Sequence, residues 1–191
     1  IPGGNATTAT GDKVFSRITS ISIDGDSSGN VTIGTEAIGY TLKVTNDDNI
    51  EKTTNVPVGS SAFYLANKLN TELAGTGVNV SANTRVLLGP FDDGVSGAVT
   101  FDLKGKNSDA VSINASIDAS DISALSKRIN EYSSQTGLLA TVTSDFKKII
   151  IESKDGYDIN LKNITAPSDF YLEAFGKDFE KFSENDSQLN S

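Results

Sequence analysis

Hydrophobic and polar positions follow two different periods along this chain. In residues 61–73 apolar side chains recur at Ala62, Leu65, Ala66, Leu69 and Leu73, and in residues 121–130 at Ile122, Leu125 and Ile129. Spacings of three and four place each set on one stripe of a helix, so each predicted helix has a face to bury. Ser61 and Asp121 stand just ahead of the first apolar position, where a side-chain oxygen accepts from the unpaired N–H groups of the first turn. Gly77 and Gly137 follow the last periodic residue. Glycine takes positive φ there without a Cβ clash and so ends a helix, and the residues beyond each glycine alternate as in a strand.

Elsewhere the period is two. Ile38, Tyr40, Leu42 and Val44 alternate with Thr41 and Lys43, which predicts a half-buried strand. Residues 46–49 turn the chain, and a second strand runs over 52–56 until Pro57 removes a ladder donor. Upstream, Ile18, Ile21 and Ile23, then Val31 and Ile33, flank Asp24-Gly25-Asp26-Ser27-Ser28-Gly29-Asn30, a composition that predicts a hairpin turn between two strands. Residues 109–119 read as a strand with Val111, Ile113 and Ala115 to one side. Ile149-Ile150-Ile151 is a continuous apolar run, expected of a strand covered on both faces. Beyond Pro167, Phe170, Tyr171, Leu172, Phe175, Phe179 and Phe182 recur among charged residues, the pattern of an amphipathic helix or an extended return segment. Residues 1–12 carry no periodic pattern and read as a linker or a lead-in strand, and residues 183–191 as a polar tail.

The two helical stretches are copies of one another. Setting Asn130 over Asn70, an offset of 60, also sets Leu125 on Leu65, Arg128 on Lys68, Ile129 on Leu69, Thr136 on Thr76 and Gly137 on Gly77. Farther on, Ile149, Ile151 and Ile159 match Phe101, Leu103 and Val111 at an offset of 48. The first copy therefore carries an insertion of about twelve residues, near 86–97. Gly89-Pro90 and Asp92-Asp93-Gly94 mark that insertion as a surface loop or short hairpin, with Phe91 at its tip packing back on the domain. Each unit then reads helix, strand, strand, with hairpin turns at Lys106-Asn107-Ser108 and Asp155-Gly156. A lone hairpin with one short helix buries too little surface to be stable. Two such units together with the N-terminal strands bury enough.

The sequence has 191 residues, room for one sizeable domain or two small ones. It holds 16 basic and 25 acidic residues, no His, no Cys and a net charge of −9. That balance repels phosphate backbones and anionic membrane surfaces, and no run of apolar residues is long enough to span a bilayer. Without His or Cys, catalysis would fall to carboxylates. Asp47 and Asp48 are adjacent in a turn with no activated nucleophile nearby, which reads as a solvated loop, though an acidic cleft with opposed carboxyl groups would admit a glycoside hydrolase. Asp24, Asp26, Ser28 and Asn30 stand at alternate positions like the first half of a calcium loop. The twelfth position is Thr35, with Glu36 one residue late, so the bidentate ligand is missing and turn chemistry accounts for the run. The start, Ile1-Pro2-Gly3-Gly4-Asn5, has neither an initiator Met nor the regions of a signal peptide and reads as part of a longer chain. Ser, Thr, Asn, Asp and Gly dominate, as in extracellular β-rich modules.

Ile129-Asn130, six residues, then Gly137 and Ala140 resemble the repeated motif of the outer, variable region of bacterial flagellins, which some hook-associated and filament-cap proteins share. The family pattern is a strand, a helix ending in Ile-Asn, Thr-Gly-Val-x-Ala and a hairpin. Residues 111–165 match it except at Leu138, where Val is usual. The upstream copy departs further, at Leu69, at Val80 and in its insertion. Together with the periodicity this predicts an α+β fold of two related strand-helix-hairpin units with additional N-terminal antiparallel strands. The divisions are a linker over 1–12, a first outer-domain unit over 13–110 with its insertion at 86–97, a second, flagellin-like unit over 111–165 and a return segment over 166–191. The resemblance implies a non-enzymatic structural domain, extracellular on the flagellar filament, partnered by other flagellin subunits and meeting glycans or antibodies at its surface. It implies no catalytic, cofactor-binding or metal-binding residue, and no nucleic-acid or membrane partner. A filament-cap or hook-associated protein fits the same motif, and an adhesin-like carbohydrate-binding module fits the composition.

Overall fold

The computed structural model describes residues 8–10, 21–23, 31–33, 40–45, 51–72, 74 and 80–175. In chain order these form β1 (Thr8–Thr10), β2 (Ile21–Ile23), β3 (Val31–Ile33), β4 (Tyr40–Thr45), β5 (Glu51–Val56), α1 (Ala62–Glu72), β6 (Thr84–Phe91) and β7 (Ser96–Lys104). Next come β8 (Val111–Asp118), α2 (Ser123–Asn130), α3 (Ser133–Thr136), β9 (Leu138–Val142), β10 (Ile149–Ser153), β11 (Ile159–Thr165) and β12 (Phe170–Phe175). The fold is α+β and mostly sheet. One sheet has the order β2-β12-β6-β10-β9, a second β3-β11-β7-β8 and a third β1-β4-β5, with every strand pair antiparallel.

The core lies between the five-stranded and four-stranded sheets. Val86, Leu88, Ile149, Ile151 and Leu172 from the first form one buried cluster with Val99, Phe101, Leu103, Ile113, Ile159 and Leu161 from the second. Period-two alternation produces this directly: on β8, Ile113, Ala115 and Ile117 are buried, and Ser112, Asn114 and Ser116 between them are exposed. Helix α2 packs against both β8 and β9, the outermost strands of the two sheets. Its apolar stripe, Leu125 and Ile129 with Ile122 just before it, is fully buried and closes that side of the sandwich. Strands of both repeat units interleave, since β6 pairs with β10 and β7 with β11.

Several predicted elements stand where the pattern put them. β4 and β5 pair antiparallel, β7 and β8 form a hairpin around residues 105–110, and β10 lies between β6 and β9. Phe91 is buried against Phe170, ring centroids 4.9 Å apart. In the first unit, buried Ala66 and Leu69 form the inner face of α1.

Other expectations are corrected. The insertion at 86–97 is no surface loop: its first half belongs to β6, a central strand flanked by β12 and β10. Val86, Leu87 and Leu88 are all buried there, so burial on both faces erased the alternation that marks a half-exposed strand. Only residues 92–95 turn the chain, carrying it from one sheet to the other. The second unit's hairpin is β9–β10, turning at 143–148, whereas the Asp155-Gly156 turn takes the chain from β10 in one sheet to β11 in the other. β2 and β3 do not pair with each other; β2 adds to β12 and β3 to β11. Of the two forms expected after Pro167, the extended one is found: the aromatic stretch begins as the strand β12, whose residues complete the sheet beside β6. Within residues 1–12, expected as a linker or a lead-in strand, Thr8–Thr10 are a strand and pair with β4. The rest of that linker, the run 24–30, Thr35 and Glu36, Asp47 and Asp48, Gly77, Phe179, Phe182 and the tail 183–191 lie outside the described residues.

Candidate functional site

The residues that carry the repeat meet at the ends of the two longer helices. Asn130 is the last residue of α2 and is half-buried. Its Nδ2 donates to the Ala140 carbonyl at 2.8 Å, and its Oδ1 accepts the Ala140 N–H at 2.8 Å. A primary amide offers one donor and one acceptor side by side. The side chain therefore supplies both bonds that a residue of a neighbouring strand would supply, and it does so at β9, an outermost strand of its sheet. Ser126, buried one turn earlier, donates its Oγ to the same carbonyl at 3.0 Å.

The first copy repeats this clamp. Asn70 Nδ2 donates to the Val80 carbonyl at 2.8 Å, and the Val80 N–H donates to Asn70 Oδ1 at 2.7 Å, again across ten residues. The offset of 60 thus aligns a three-dimensional arrangement as well as a pattern. The copies differ at the third bond, because Ala66 stands at the position of Ser126, and in exposure, because Asn70 is exposed.

The caps obey the same rule with local variation. Ser61 Oγ accepts the Tyr64 N–H at 3.2 Å, three residues into α1. Asp121 Oδ1 accepts the Ser123 N–H at 2.9 Å, one step ahead of the usual cap position, and hydrogen bonds from the Ser123 side chain and backbone hold its carboxyl below the usual range. Gly137 ends α3, not α2: φ is 69° and its N–H bonds the Ser133 carbonyl at 2.8 Å. The predicted single helix is broken after Asn130 into two pieces.

The helix ends dock onto turns of the opposite unit. The Lys106 N–H donates to the Thr136 carbonyl at 2.8 Å, and a Cβ on Gly105 would meet that carbonyl at 2.3 Å. The Phe63 N–H at the start of α1 donates to the Gly156 carbonyl at 2.8 Å, and Phe63 stacks on Tyr157 with centroids 4.0 Å apart. Neither approach tolerates a side chain on the glycine.

At the far end of the sandwich, four loops are bonded to each other. The Ala119 N–H donates to Val95 O at 2.8 Å, the Ile122 N–H to Phe146 O at 3.0 Å and the Asp92 N–H to Ser168 Oγ at 3.2 Å, and Lys147 pairs with Asp93 at 2.9 Å. Asp118 and Asp145 are engaged by residues of their own turns. Bonds from Ser120 lower the pKa of Asp118, and bonds from Thr143 and the Lys147 N–H lower that of Asp145. On the five-stranded sheet, burial disfavours the charged form of Glu152, but hydrogen bonds from Asn83 and Arg85 outweigh it and hold the carboxyl low. Such carboxylates are structural anchors, without the poised proton that general acid–base chemistry needs.

Among the described residues no three His, Cys, Asp or Glu side chains gather as a metal site, and no helix is long and apolar enough to cross a membrane. The exposed aromatics Tyr64, Phe146 and Tyr171 stand on different elements, α1, the 143–148 turn and β12. No protein-family model matches this chain, and no curated protein matches it.

Proposed function

We propose that this chain is a structural, solvent-facing outer domain of a bacterial flagellar filament protein, extracellular, non-enzymatic and surrounded by copies of itself. The observation that supports this most is the paired Asn clamp. The residues carrying the resemblance, Ile129, Asn130, Gly137 and Ala140, are spent on joining a helix to a sheet edge, and in the upstream copy Asn70 makes the same pair of bonds to Val80, ahead of β6. A motif of this kind builds a rigid module and leaves its surface free to vary, which suits a domain that decorates a filament and meets antibodies, phage or glycans. The absence of Cys suits a chain exported unfolded. Motility belongs to the filament and not to chemistry within this domain.

The test uses the full-length parent chain. Acid-depolymerised protein is returned to neutral pH and inspected for regrown filaments, then labelled with antibodies raised against residues 80–175. Label along the whole length of long filaments is the expected result. Label confined to the tip or to the hook junction would replace this reading with a cap or hook-associated protein. Label absent from filaments would overturn it and turn attention to an adhesin-like module.

A further inference from the structure

The two strands that α2 packs against are outermost strands, and the chain treats them differently. β9 has its free edge occupied by the Asn130 amide at Ala140, and the Leu138 N–H is taken by Thr136 Oγ1 at 3.2 Å. Among the described residues β8 has a strand partner on its β7 side alone, in unbroken register from Val111 to Asp118. Backbone groups of Val111–Ile117 form no further hydrogen bond among the described residues. A strand of eight residues that is left open usually carries Pro, Lys, a bulge or an inward charge to deter pairing. β8, Val-Ser-Ile-Asn-Ala-Ser-Ile-Asp, carries no Pro, no Lys and no bulge, and its one charge is at its last position.

We infer that the open edge of β8 is a homotypic interface, at which two copies of this chain pair antiparallel about Asn114. The strand is self-complementary in that register. Asn114 lies opposite Asn114 of the second copy, Ser112 opposite Ser116, Ile113 opposite Ala115 and Val111 opposite Ile117. Asp118 falls opposite Ala110, so no like charges meet across the pair, which would otherwise oppose pairing. The outward side chains Ser112, Asn114 and Ser116 are small and exposed, so two backbones approach without displacing a bulky residue. The result is a two-fold, isologous contact that joins two four-stranded sheets into one of eight strands. This stands on strand geometry alone and holds whether or not the chain belongs to a filament. Each copy has a net charge of −9, so long-range repulsion opposes the pairing and added salt strengthens it.

The 191-residue chain itself is the material for the test. Wild type should sediment as a dimer at high micromolar concentration in moderate salt. Asn114→Lys, which sets like charges face to face, should be monomeric with an unchanged far-UV circular dichroism spectrum, as should Asn114→Glu. Mixing those two variants should restore a dimer, an outcome that a folding defect does not produce. Because the chain has no Cys, Asn114→Cys treated with a short bis-maleimide gives a second readout that needs no charged substitution. Cross-linked dimer should form from Asn114→Cys and not from Thr141→Cys on the clamped strand β9. A monomeric wild type, a dimer that survives Asn114→Lys, or equal cross-linking at the two cysteines would overturn the inference.

Discussion

Replacing Asn130 by Ala removes both arms of the clamp at once, and the cost is set by what remains around Ala140. Ala140 is 5% exposed, so water does not reach its backbone freely. Its carbonyl keeps one partner, since Ser126 Oγ still donates to it at 3.0 Å. Its N–H keeps none, because Asn130 Oδ1 at 2.8 Å is the acceptor it uses. Losing one hydrogen bond costs about 1 kcal/mol, and leaving a buried donor unsatisfied costs about 1–3 kcal/mol more. Asn130→Ala should therefore destabilise the chain by about 2–4 kcal/mol, equivalent to a Tm lower by roughly 4–16 °C for a chain of this size.

Asn70→Ala is the internal control. It removes the same two bonds at the same spacing, but Asn70 is exposed and Val80 only half-buried, so water takes over and the loss should stay at about 1 kcal/mol or less. Asn130→Asp separates the two arms. The carboxylate keeps the acceptor for the Ala140 N–H but turns a repulsive oxygen toward the Ala140 carbonyl, and protonation at low pH restores a donor. Its deficit should therefore shrink below about pH 4, where a carboxyl gains its proton. Urea unfolding monitored by circular dichroism measures all three variants, since the chain has no Trp to report by fluorescence. Equal losses for Asn130→Ala and Asn70→Ala, or a loss below about 0.5 kcal/mol for Asn130→Ala, would refute the argument that burial around Ala140 sets the cost.

Gly105→Ala should destabilise through the clash with the Thr136 carbonyl, and Gly156→Ala through both its φ of +80° and the Ala82 Cβ at 2.4 Å, whereas Gly59→Ala, with open space around it, should show only the cost of its φ; thermal melts rank the three. Leu125→Ala, at the fully buried centre of the α2 face, should cost about 2–5 kcal/mol in the same unfolding assay, the range for buried Leu truncation. Stability should hardly change between pH 7 and 5 and should fall as the pH drops below about 4, the unfolded carboxyl range. The sign comes from Asp118, Asp121, Asp145 and Glu152, whose folded pKa values are all lowered: their contribution is present above the unfolded value and is lost as pH falls through the folded one. Rising stability on acidification would contradict that assignment.

Legibility in the sequence depended on how many faces each element exposes. β8 shows one face to the core and one to solvent, so Ile113, Ala115 and Ile117 announced a strand; α2 shows one stripe to the core, so Ile122, Leu125 and Ile129 announced a helix. β6 lies between two strands with Val86, Leu87 and Leu88 all buried, and with nothing exposed there was no alternation to read. Gly89 and Pro90 then weighed toward a loop, although Gly89 is there because a Cβ would meet the Lys147 carbonyl at 2.8 Å. The site split in the same way. The spacing from Asn130 to Gly137 marked a helix end, but that the Asn amide reaches Ala140 could not be read from period, since a clamp depends on where the strand returns. One signal was present: an Asn ten residues before a small or β-branched residue occurs in both copies, at Asn70 with Val80 and at Asn130 with Ala140.

Which strand pairs with which was the least legible property, because pairing is a contest among edges that look alike in composition. Sequence neighbours favour a hairpin, and β7–β8 and β9–β10 obey. At Asp155-Gly156 the same preference loses. The Gly156 carbonyl is used by the Phe63 N–H of α1 and Tyr157 by the Phe63 ring, so the turn is held by the other unit, and β11 is directed to β7 rather than back along β10. The likeness of the two stretches, with Asn130 over Asn70 at an offset of 60, is in keeping with that outcome. Two units with similar strands compete for each other's edges, and exchange between them buries the apolar faces of both in one cluster. The Asn130 clamp at Ala140 then acts where such competition must stop, closing the edge of β9 to further pairing, while the Asn70 clamp at Val80 ties α1 to the segment that leads into β6.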